Sequence, residues 1–275
     1  MEERKDADYN AEANGVNRRD LLKGALALGA TAAVGGLSLN LSRPGSAAAA
    51  SQFSSVKACV FDAYGTLFDF NSAIARNRAR VGEVADKVSD LWRTKQIDYT
   101  WLRSLMRQYK DFWSCTSDAL DYTLEVYGVK DKKLREDLLN AYLELDAFSD
   151  VPGALRELKK RGYSVHILSN GTPNMLKSAV KSSGLESVMD SLMSVDEVKV
   201  FKPDLRVYQI AVDTLGLKEH QIAFMSSNAW DAAGAVNFGF KVVWVNRGNK
   251  IFEKLGVQPH AIIKSMAELP DILGG

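Results

Sequence analysis

Cysteine, histidine and excess charge are all scarce in this sequence. Its two cysteines, Cys59 and Cys115, are too few for a disulfide framework, and Cys59 lies in an apolar run where a buried core position is expected. Its three histidines show no metal-ligand spacing; they are His166, His220 and His260. The formal net charge is +1 over 275 residues, so no strong field is directed at nucleic acid or an anionic surface. We therefore expect an ordinary globular protein that has no metal, no cofactor and no nucleic-acid partner.

The first 50 residues have the order of an export signal. Residues 1–16 are polar and predict a disordered segment. The basic pair Arg18-Arg19 then precedes a weakly apolar run at 24–41, which is interrupted by Gly29, Gly35 and Gly36. Four alanines at 47–50 offer small residues to a peptidase, which predicts cleavage near Ala49-Ala50.

Adjacent arginines before a weakly hydrophobic run resemble a twin-arginine signal. The usual pattern has Ser or Thr before the pair and Phe two residues after it, whereas this chain has Asn17 and Leu21. The resemblance implies export through the twin-arginine (Tat) machinery to the periplasm. The alternative is an uncleaved signal that anchors the protein in the membrane, because the apolar run is near the minimum spanning length.

The remaining sequence predicts an α/β fold with a doubly wound parallel sheet. An apolar run at 56–61 predicts a short buried strand that ends at Asp62. Residues 71–147 show long helical patterns and no evident strand, whereas strands alternate with helices from 151 onward. We therefore expect an α/β core formed by residues 51–70 and 148–275, with an inserted all-helical cap at 71–147 over the carboxyl end of the sheet.

Polar side chains recur where successive predicted strands end. Asp62 ends the first strand; Ser169-Asn170, Lys202 and the segment 226–231 follow later strands. One Asp after a strand is most simply a turn residue, but the carboxyl ends of parallel strands share one edge of the sheet. Several polar strand ends that include two carboxylates and a lysine therefore predict a site.

These motifs, in this order, resemble the haloacid dehalogenase superfamily and more narrowly its L-2-haloacid dehalogenases. The resemblance rests on D-x-Y-G-T at 62–66, L-S-N-G at 168–171, K-P-D at 202–204 and S-S-N-A-W-D at 226–231, and the cap segments 91–96 and 99–103 also look like that family. It covers roughly residues 55–270. It implies a Rossmann-type core, and hydrolysis of L-2-haloacids to D-2-hydroxy acids and halide through an ester of Asp62, without metal or cofactor.

The resemblance also implies roles for particular residues. In the catalytic set, Asp62 is the nucleophile, Lys202 keeps it charged, Thr66 orients it, and Asp231 with Asn228 and Ser226 orients the hydrolytic water. The implied substrate-binding set is Ala63, Tyr64, Arg93, Ser169, Asn170, Phe112 and Trp230. Ser169 is also expected to orient Asp62. The family further implies a homodimer formed through the cap.

Alternative interpretations remain for the chemistry and for single residues. A phosphatase or phosphonatase of the superfamily resembles D-x-D-x-T and has a later acidic cluster that holds Mg²⁺. This chain has Tyr64 at the second Asp position and Ser226-Ser227-Asn228 in place of acids, which leaves too few hard oxygen ligands for magnesium. A non-catalytic exported binding domain is the other alternative. Lys202 as a solvated loop residue, Asp231 as a helix cap and Arg93 as a surface arginine are the simpler structural interpretations.

Overall fold

The computed structural model describes residues 52–274, which belong to one compact unit. The predicted signal at 1–50 lies outside the described residues. A six-stranded parallel sheet forms the centre, in the order β5-β4-β1-β6-β7-β8. Its strands are β1 (Ala58–Phe61), β4 (Ser164–Ser169), β5 (Ser191–Ser194), β6 (Ile222–Ser226), β7 (Lys241–Val245) and β8 (Ala261–Ile263).

Strand β1 lies inside the sheet because its residues are apolar on both faces. All four are buried, as expected for a strand that is covered on both sides. β1 pairs in parallel with β4 on one side and with β6 on the other. The residues that follow these three strands therefore meet at one edge of the sheet, and Asp62 lies at its middle.

Helices cover the sheet and occupy the insertion predicted from the sequence. The inserted helices are α1 (Asn71–Val81), α2 (Ala85–Leu105), α3 (Phe112–Val126) and α4 (Lys132–Leu143). The others are α5 (Val151–Lys160), α6 (Pro173–Ser182), α7 (Leu205–Leu215), α8 (Ala229–Phe238) and α9 (Leu269–Leu273). Asp111 and Asp131 cap α3 and α4, because each side chain accepts a hydrogen bond from a backbone N–H in the first turn.

Two short strands close the base of the insertion, and one of them corrects the prediction that residues 71–147 hold no strand. β2 (Phe68–Asp69) pairs antiparallel with β3 (Asp146–Ala147), which lies inside that range. Two residues are too few to show an alternating pattern, so neither strand could be predicted from the sequence. The backbone N–H of Phe148 also donates to Leu67 O at 3.0 Å, so the chain returns beside the point where it left.

The other differences are at the ends of elements. The helical pattern at 84–109 predicts a helix that ends at Tyr109, whereas α2 ends at Leu105. Arg107 beyond it adopts a positive φ of 55° that no helix accommodates. The sequence also predicts a final helix over 265–273, and this segment begins as a 3₁₀ turn at Met266–Glu268. Strand β8 was not predicted, since three residues at the edge of a sheet give too short an apolar run. Within residues 52–274, no helix has the length and apolar character needed to cross a membrane.

Candidate active site

Asp62 stands directly after β1 and is almost fully buried, with 5% of its surface exposed. Three side chains donate hydrogen bonds to its carboxylate. Thr66 Oγ1 and Asn228 Nδ2 reach Oδ2 at 2.9 and 2.8 Å, and Lys202 Nζ reaches Oδ1 at 3.2 Å. A buried carboxylate retains its charge only with such partners, so this edge of the sheet is built to hold an ionised Asp62.

The turn after Asp62 explains why Thr66 faces back to it. The carbonyl oxygen of Ala63 accepts hydrogen bonds from the N–H groups of Thr66, Leu67 and Phe68. Gly65 lies within this turn at φ +86°, a conformation that side chains disfavour. The Thr66 hydroxyl also accepts from the N–H of Ser227 at 2.8 Å, which ties the turn to the end of β6.

Lys202 is fully buried between two carboxylates. Its Nζ donates to Asp231 Oδ2 at 3.0 Å as well as to Asp62, and Asp231 is itself fully buried. The Phe224 ring lies 4.8 Å from Nζ, while Asn170 Oδ1 accepts a hydrogen bond from the backbone N–H of Lys202 at 3.0 Å. The interpretation of Lys202 as a solvated loop lysine is therefore wrong.

Asp231 acts on the cluster rather than on its helix. It lies in the first turn of α8, where it makes no cap, so the interpretation as a helix cap is also wrong. Its Oδ1 accepts a hydrogen bond from the hydroxyl of Tyr208 at 2.8 Å. Burial raises the pKa of Asp231 to about 6, although Lys202 lowers it, and the charge of Asp62 adds to the rise. Asp231 can therefore exchange a proton near neutral pH.

Arg93 brings the inserted helices to this edge. It projects from α2, and its guanidinium donates to Tyr64 O at 3.4 Å and to Asn228 Oδ1 at 3.3 Å. The buried amide of Gln96 holds its other nitrogen at 2.8 Å. Arg93 is therefore not a surface helix arginine, and it faces the same Asn228 that contacts Asp62.

Aromatic rings pack beside these polar groups. The ring of Tyr64 lies 5.4 Å from that of Phe112 and 5.6 Å from that of Tyr142, and Trp230 packs edge-on against Trp101 at 5.3 Å. The Tyr64 hydroxyl is buried and has no partner within residues 52–274, and burial raises its pKa well above 10. Apolar walls thus surround a neutral hydroxyl that is free to bind a ligand.

Two predicted serines turn toward their own loops. Ser169 Oγ accepts a hydrogen bond from the N–H of Gly171 at 3.0 Å. Within residues 52–274, the side chains that donate to the Asp62 carboxylate are those of Thr66, Asn228 and Lys202. Ser226 Oγ contacts the backbone of Asn228 at 3.1 and 3.4 Å. Both serines therefore shape the loops of the site, and neither forms a hydrogen bond with the carboxylate of Asp62 in the described part of the chain.

Comparison with known proteins identifies the family. The family model "haloacid dehalogenase-like hydrolase" matches residues 56–239. The (S)-2-haloacid dehalogenase 4A of Burkholderia cepacia is 47% identical over 221 residues, which are 80% of this chain and 95% of that protein. The chain belongs to the haloacid dehalogenase-like hydrolases, among the (S)-2-haloacid dehalogenases.

Solved structures of this hydrolase family share the fold of the chain. A crystallised dehalogenase aligns with a TM-score of 0.79 at 46% identity and covers 80% of this chain and 98% of its own. The L-2-haloacid dehalogenase of Xanthobacter autotrophicus with chloropropionic acid covalently bound aligns with a TM-score of 0.75 at 35% identity, covering 80% and 99%. A twin-arginine translocation signal model matches residues 15–35, so this dehalogenase-family chain carries an export signal.

The family site has one cation where a metal-dependent relative would need carboxylates. Among the residues that the structure describes, no group of three or more His, Cys, Asp or Glu side chains is arranged to hold a metal ion. The ammonium group of Lys202 lies between Asp62 and Asp231 instead. His166 and His260 form hydrogen bonds to Ser191 and to the Val242 N–H, away from this cluster, and both cysteines are buried and free.

Sequence reasoning missed Tyr208 and Gln96, two buried partners of this dehalogenase-family site. Tyr208 stands neither after a strand nor inside a motif, and Gln96 ends the cap segment 91–96 without a predicted role, so only the packing of their helices shows these contacts. Gly234 is the one sequence feature that relates to Tyr208, because a Cβ at Gly234 would lie 2.5 Å from the Tyr208 hydroxyl. Likewise a Cβ at Gly171 would lie 2.9 Å from the ring of Tyr64. Both glycines are required by the close approach of these rings.

Proposed function

We propose that this protein hydrolyses L-2-haloacids to D-2-hydroxy acids and halide, with Asp62 as the nucleophile. The observation that carries the proposal is the buried Asp62 carboxylate, held in one orientation by Thr66, Asn228 and Lys202. Its relatives are named for this reaction, and one of them carries chloropropionic acid covalently bound. A phosphatase or a non-catalytic binding domain, the alternatives from the sequence, has no such support.

In the first step, an oxygen of Asp62 forms a bond to C2 of the substrate while the carbon–halogen bond breaks. The halide departs with the bonding electron pair, C2 inverts, and an ester of Asp62 remains. Halide is a leaving group that needs no proton. The step therefore needs a fixed carboxylate and no general acid.

In the second step, water attacks the carbonyl carbon of the ester. The water gives up its proton, which Asp231 accepts because its pKa of about 6 leaves it mostly ionised at neutral pH. The bond between the carbonyl carbon and the ester oxygen then breaks, and the departing alkoxide takes the proton back from Asp231 to give the D-2-hydroxy acid. The carboxyl group of Asp62 is restored with an oxygen from water and releases the remaining water proton to solvent. Lys202 lies against both carboxylates and stabilises the negative charge that develops on the ester oxygen.

The substrate carboxylate and the departing halide need positive or N–H groups. We propose that Arg93 supplies the cation, since Asp62, Asp231 and Lys202 together carry one net negative charge that would repel an anionic substrate. The carboxylate site is completed by the hydroxyl of Tyr64 and by loop groups of Ala63, Ser169 and Asn170.

Apolar walls around C2 and its alkyl group are formed by Phe112, Trp230 and the ring of Tyr64. Ser226 fixes the loop of Asn228.

The test is to incubate the purified protein with each enantiomer of 2-chloropropionate in the presence of EDTA. Chloride release from the L enantiomer, with D-lactate as the product, supports the proposal. Release only after Mg²⁺ is added, or phosphate release from an aryl phosphate without any chloride release, contradicts it. The Asp62→Asn variant, which keeps the shape of the side chain but removes its charge, is the matched control and should release none.

We further propose that the mature protein is periplasmic, is cleaved near Ala49-Ala50, and divides into a core of 51–70 and 148–275 and a cap of 71–147. The signal match at 15–35 supports export by the twin-arginine route. N-terminal sequencing of the periplasmic fraction tests the cleavage site. Lys substitutions of Arg18 and Arg19 together should retain the protein in the cytoplasm; unchanged export contradicts the proposal, and a membrane-bound product supports an uncleaved anchor.

We also propose a homodimer formed through the cap. Large apolar side chains on α2, at its C-cap and on α3 are exposed there: Leu102 50%, Leu105 81%, Met106 59%, Tyr122 43% and Val126 53%. These two helices pack against each other, and exposed apolar surface on neighbouring elements is typical of an interface. Leu105→Glu should convert a dimer to a monomer in sedimentation velocity, whereas Ile251→Glu, at an equally exposed Ile outside the cap, should not. A monomeric wild type contradicts the proposal.

A further inference from the structure

A second charged cluster lies behind the turn that carries Asp62. Arg247 follows β7, and its guanidinium donates to the carbonyl oxygen of Thr66 at 3.0 Å and to Asp150 Oδ2 at 2.6 Å. The ring of Phe148 lies 4.4 Å from its central carbon. Of these three partners of Arg247, Thr66 belongs to the predicted site, and Asp150 and Phe148 do not.

Asp150 is itself held in place. Its Oδ2 also accepts hydrogen bonds from Ser265 Oγ at 2.8 Å and from the N–H of Met266 at 2.7 Å. Arg247 is therefore fixed from one side by an anchored carboxylate and from another by an aromatic ring. The planar guanidinium of Arg247 donates to Asp150 from one nitrogen and to Thr66 O from another. A flexible lysine ammonium does not reproduce this fixed geometry in full.

The contact with Thr66 leads directly to the nucleophile. Thr66 offers its carbonyl oxygen to Arg247 and its hydroxyl to Asp62 Oδ2. Because both groups belong to one fully buried residue, we expect a shift of the carbonyl to move the hydroxyl and to rotate the carboxylate. A nucleophile must point at C2 within a narrow range, so a small displacement lowers the rate without weakening substrate binding.

We propose that Arg247 is a positioning residue for Asp62 and acts through Thr66, with Asp150 orienting it. This proposal rests on the proposed function of Asp62. It also gives Arg247 no contact with the substrate, so its loss affects kcat and leaves KM unchanged. A residue that merely stabilises the fold would change neither constant once the amount of folded protein is corrected for.

The experiment is a double-mutant cycle on chloride release from L-2-chloropropionate, normalised to folded protein. Arg247→Met should lower kcat about tenfold, equivalent to about 1.4 kcal/mol, and leave KM within about twofold. In the Thr66→Val background, which lacks the hydroxyl, the same change should alter kcat by less than about twofold. Arg247→Lys should recover part of the lost rate, since it can still donate to the carbonyl.

The matched control is Arg161→Met, because Arg161 forms a comparable clamp far from the site. It donates to Pro270 O at 2.6 Å and pairs with Asp271 near the end of the described chain. This variant should be less stable and keep the wild-type kcat.

Equal effects of Arg247→Met and Arg161→Met on kcat, or equal effects of Arg247→Met with and without the Thr66 hydroxyl, would overturn the proposal. If Arg247→Met does not fold, Arg247→Lys and Asp150→Asn replace it in the same cycle. Absence of chloride release by the wild type overturns the proposed function together with this inference. If the wild type is active but Arg247→Met and Thr66→Val act on kcat independently, the inference alone is overturned.

Discussion

Two groups of ion pairs in this molecule contain the same kinds of residue and have different surroundings. On the inserted helices, Arg135 pairs with Asp121, and their side chains are 33% and 51% exposed. At the edge of the sheet, Lys202 pairs with Asp231, and both side chains are 0% exposed. Water screens the first pair and cannot reach the second.

The difference in exposure separates ion pairs that the protein can lose from charged residues that its function needs. An exposed pair forms at little cost and stabilises the fold little, so it can be lost without consequence. A buried charge costs several kcal/mol to desolvate, which a fold retains only where the charge is needed. Asp62, Lys202 and Asp231 are therefore the residues to which function should be most sensitive, and variants of the two groups test this contrast.

The largest effect is expected from Lys202→Met. It leaves two buried carboxylates without their cation, so we expect chloride release to fall at least about 100-fold and the free energy of unfolding to fall by about 3–5 kcal/mol. Steady-state assays and urea unfolding measure the two losses. Lys199→Met, at a nearby exposed lysine, should resemble the wild type; equal losses for both variants contradict the comparison.

The stability loss of Lys202→Met should depend on pH. Lys202 lowers the pKa of Asp231, so its removal raises that pKa above about 6 in the folded state. A folded-state pKa above the unfolded value of 3.8 means that stability is fully present at low pH and is lost as pH rises. The deficit should therefore be larger at about pH 8 than at about pH 5, and a deficit that is larger at the lower pH contradicts this.

A smaller effect is expected from Tyr208→Phe. Asp231 must be ionised to accept the proton of water, so kcat should fall below a pKa of about 6. The hydrogen bond from Tyr208 lowers this pKa, and its loss should move the acid limb of the kcat profile to higher pH. Tyr163→Phe removes a remote hydroxyl bonded to Leu273 O and should leave the limb in place. A limb that moves to lower pH contradicts the assignment of Asp231.

The smallest effect is expected from Arg135→Met on the inserted helices. The pair with Asp121 is partly exposed, so its loss should cost about 0.5 kcal/mol of unfolding free energy and leave kcat unchanged. Urea unfolding at low and high salt measures it, and the small loss should shrink further with salt. A loss as large as that of Lys202→Met would remove the distinction between the two groups.

The sequence predicted the sheet and most of the site because both depend on local order along the chain. Apolar runs predicted β1, β4, β6 and β7. Because parallel strands end at one edge of the sheet, the sequence also predicted that Asp62, Lys202 and Asp231 lie close together. In the structure, Lys202 Nζ lies 3.2 Å from Asp62 Oδ1 and 3.0 Å from Asp231 Oδ2.

Contacts that depend on helix packing were beyond the sequence. Tyr208 and Gln96 reach the site from helix interiors, and Arg247 acts through a backbone carbonyl, which no residue pattern records. Ser169 shows the opposite error. It stands at a strand end as predicted, but its hydroxyl accepts a hydrogen bond from Gly171 of its own loop, because a side chain that short satisfies the nearest N–H first. The predicted role of Ser226 toward the hydrolytic water stays a prediction.

A single turnover in heavy-oxygen water tests the covalent role of Asp62 most directly. With enzyme in excess over L-2-chloropropionate, the account predicts that ¹⁸O enters the carboxylate of Asp62, while the hydroxyl of the first product is unlabelled. Mass spectrometry of the peptide that contains Asp62 and of the lactate measures both. Label in the hydroxyl of the first product, with none in Asp62, would contradict the account.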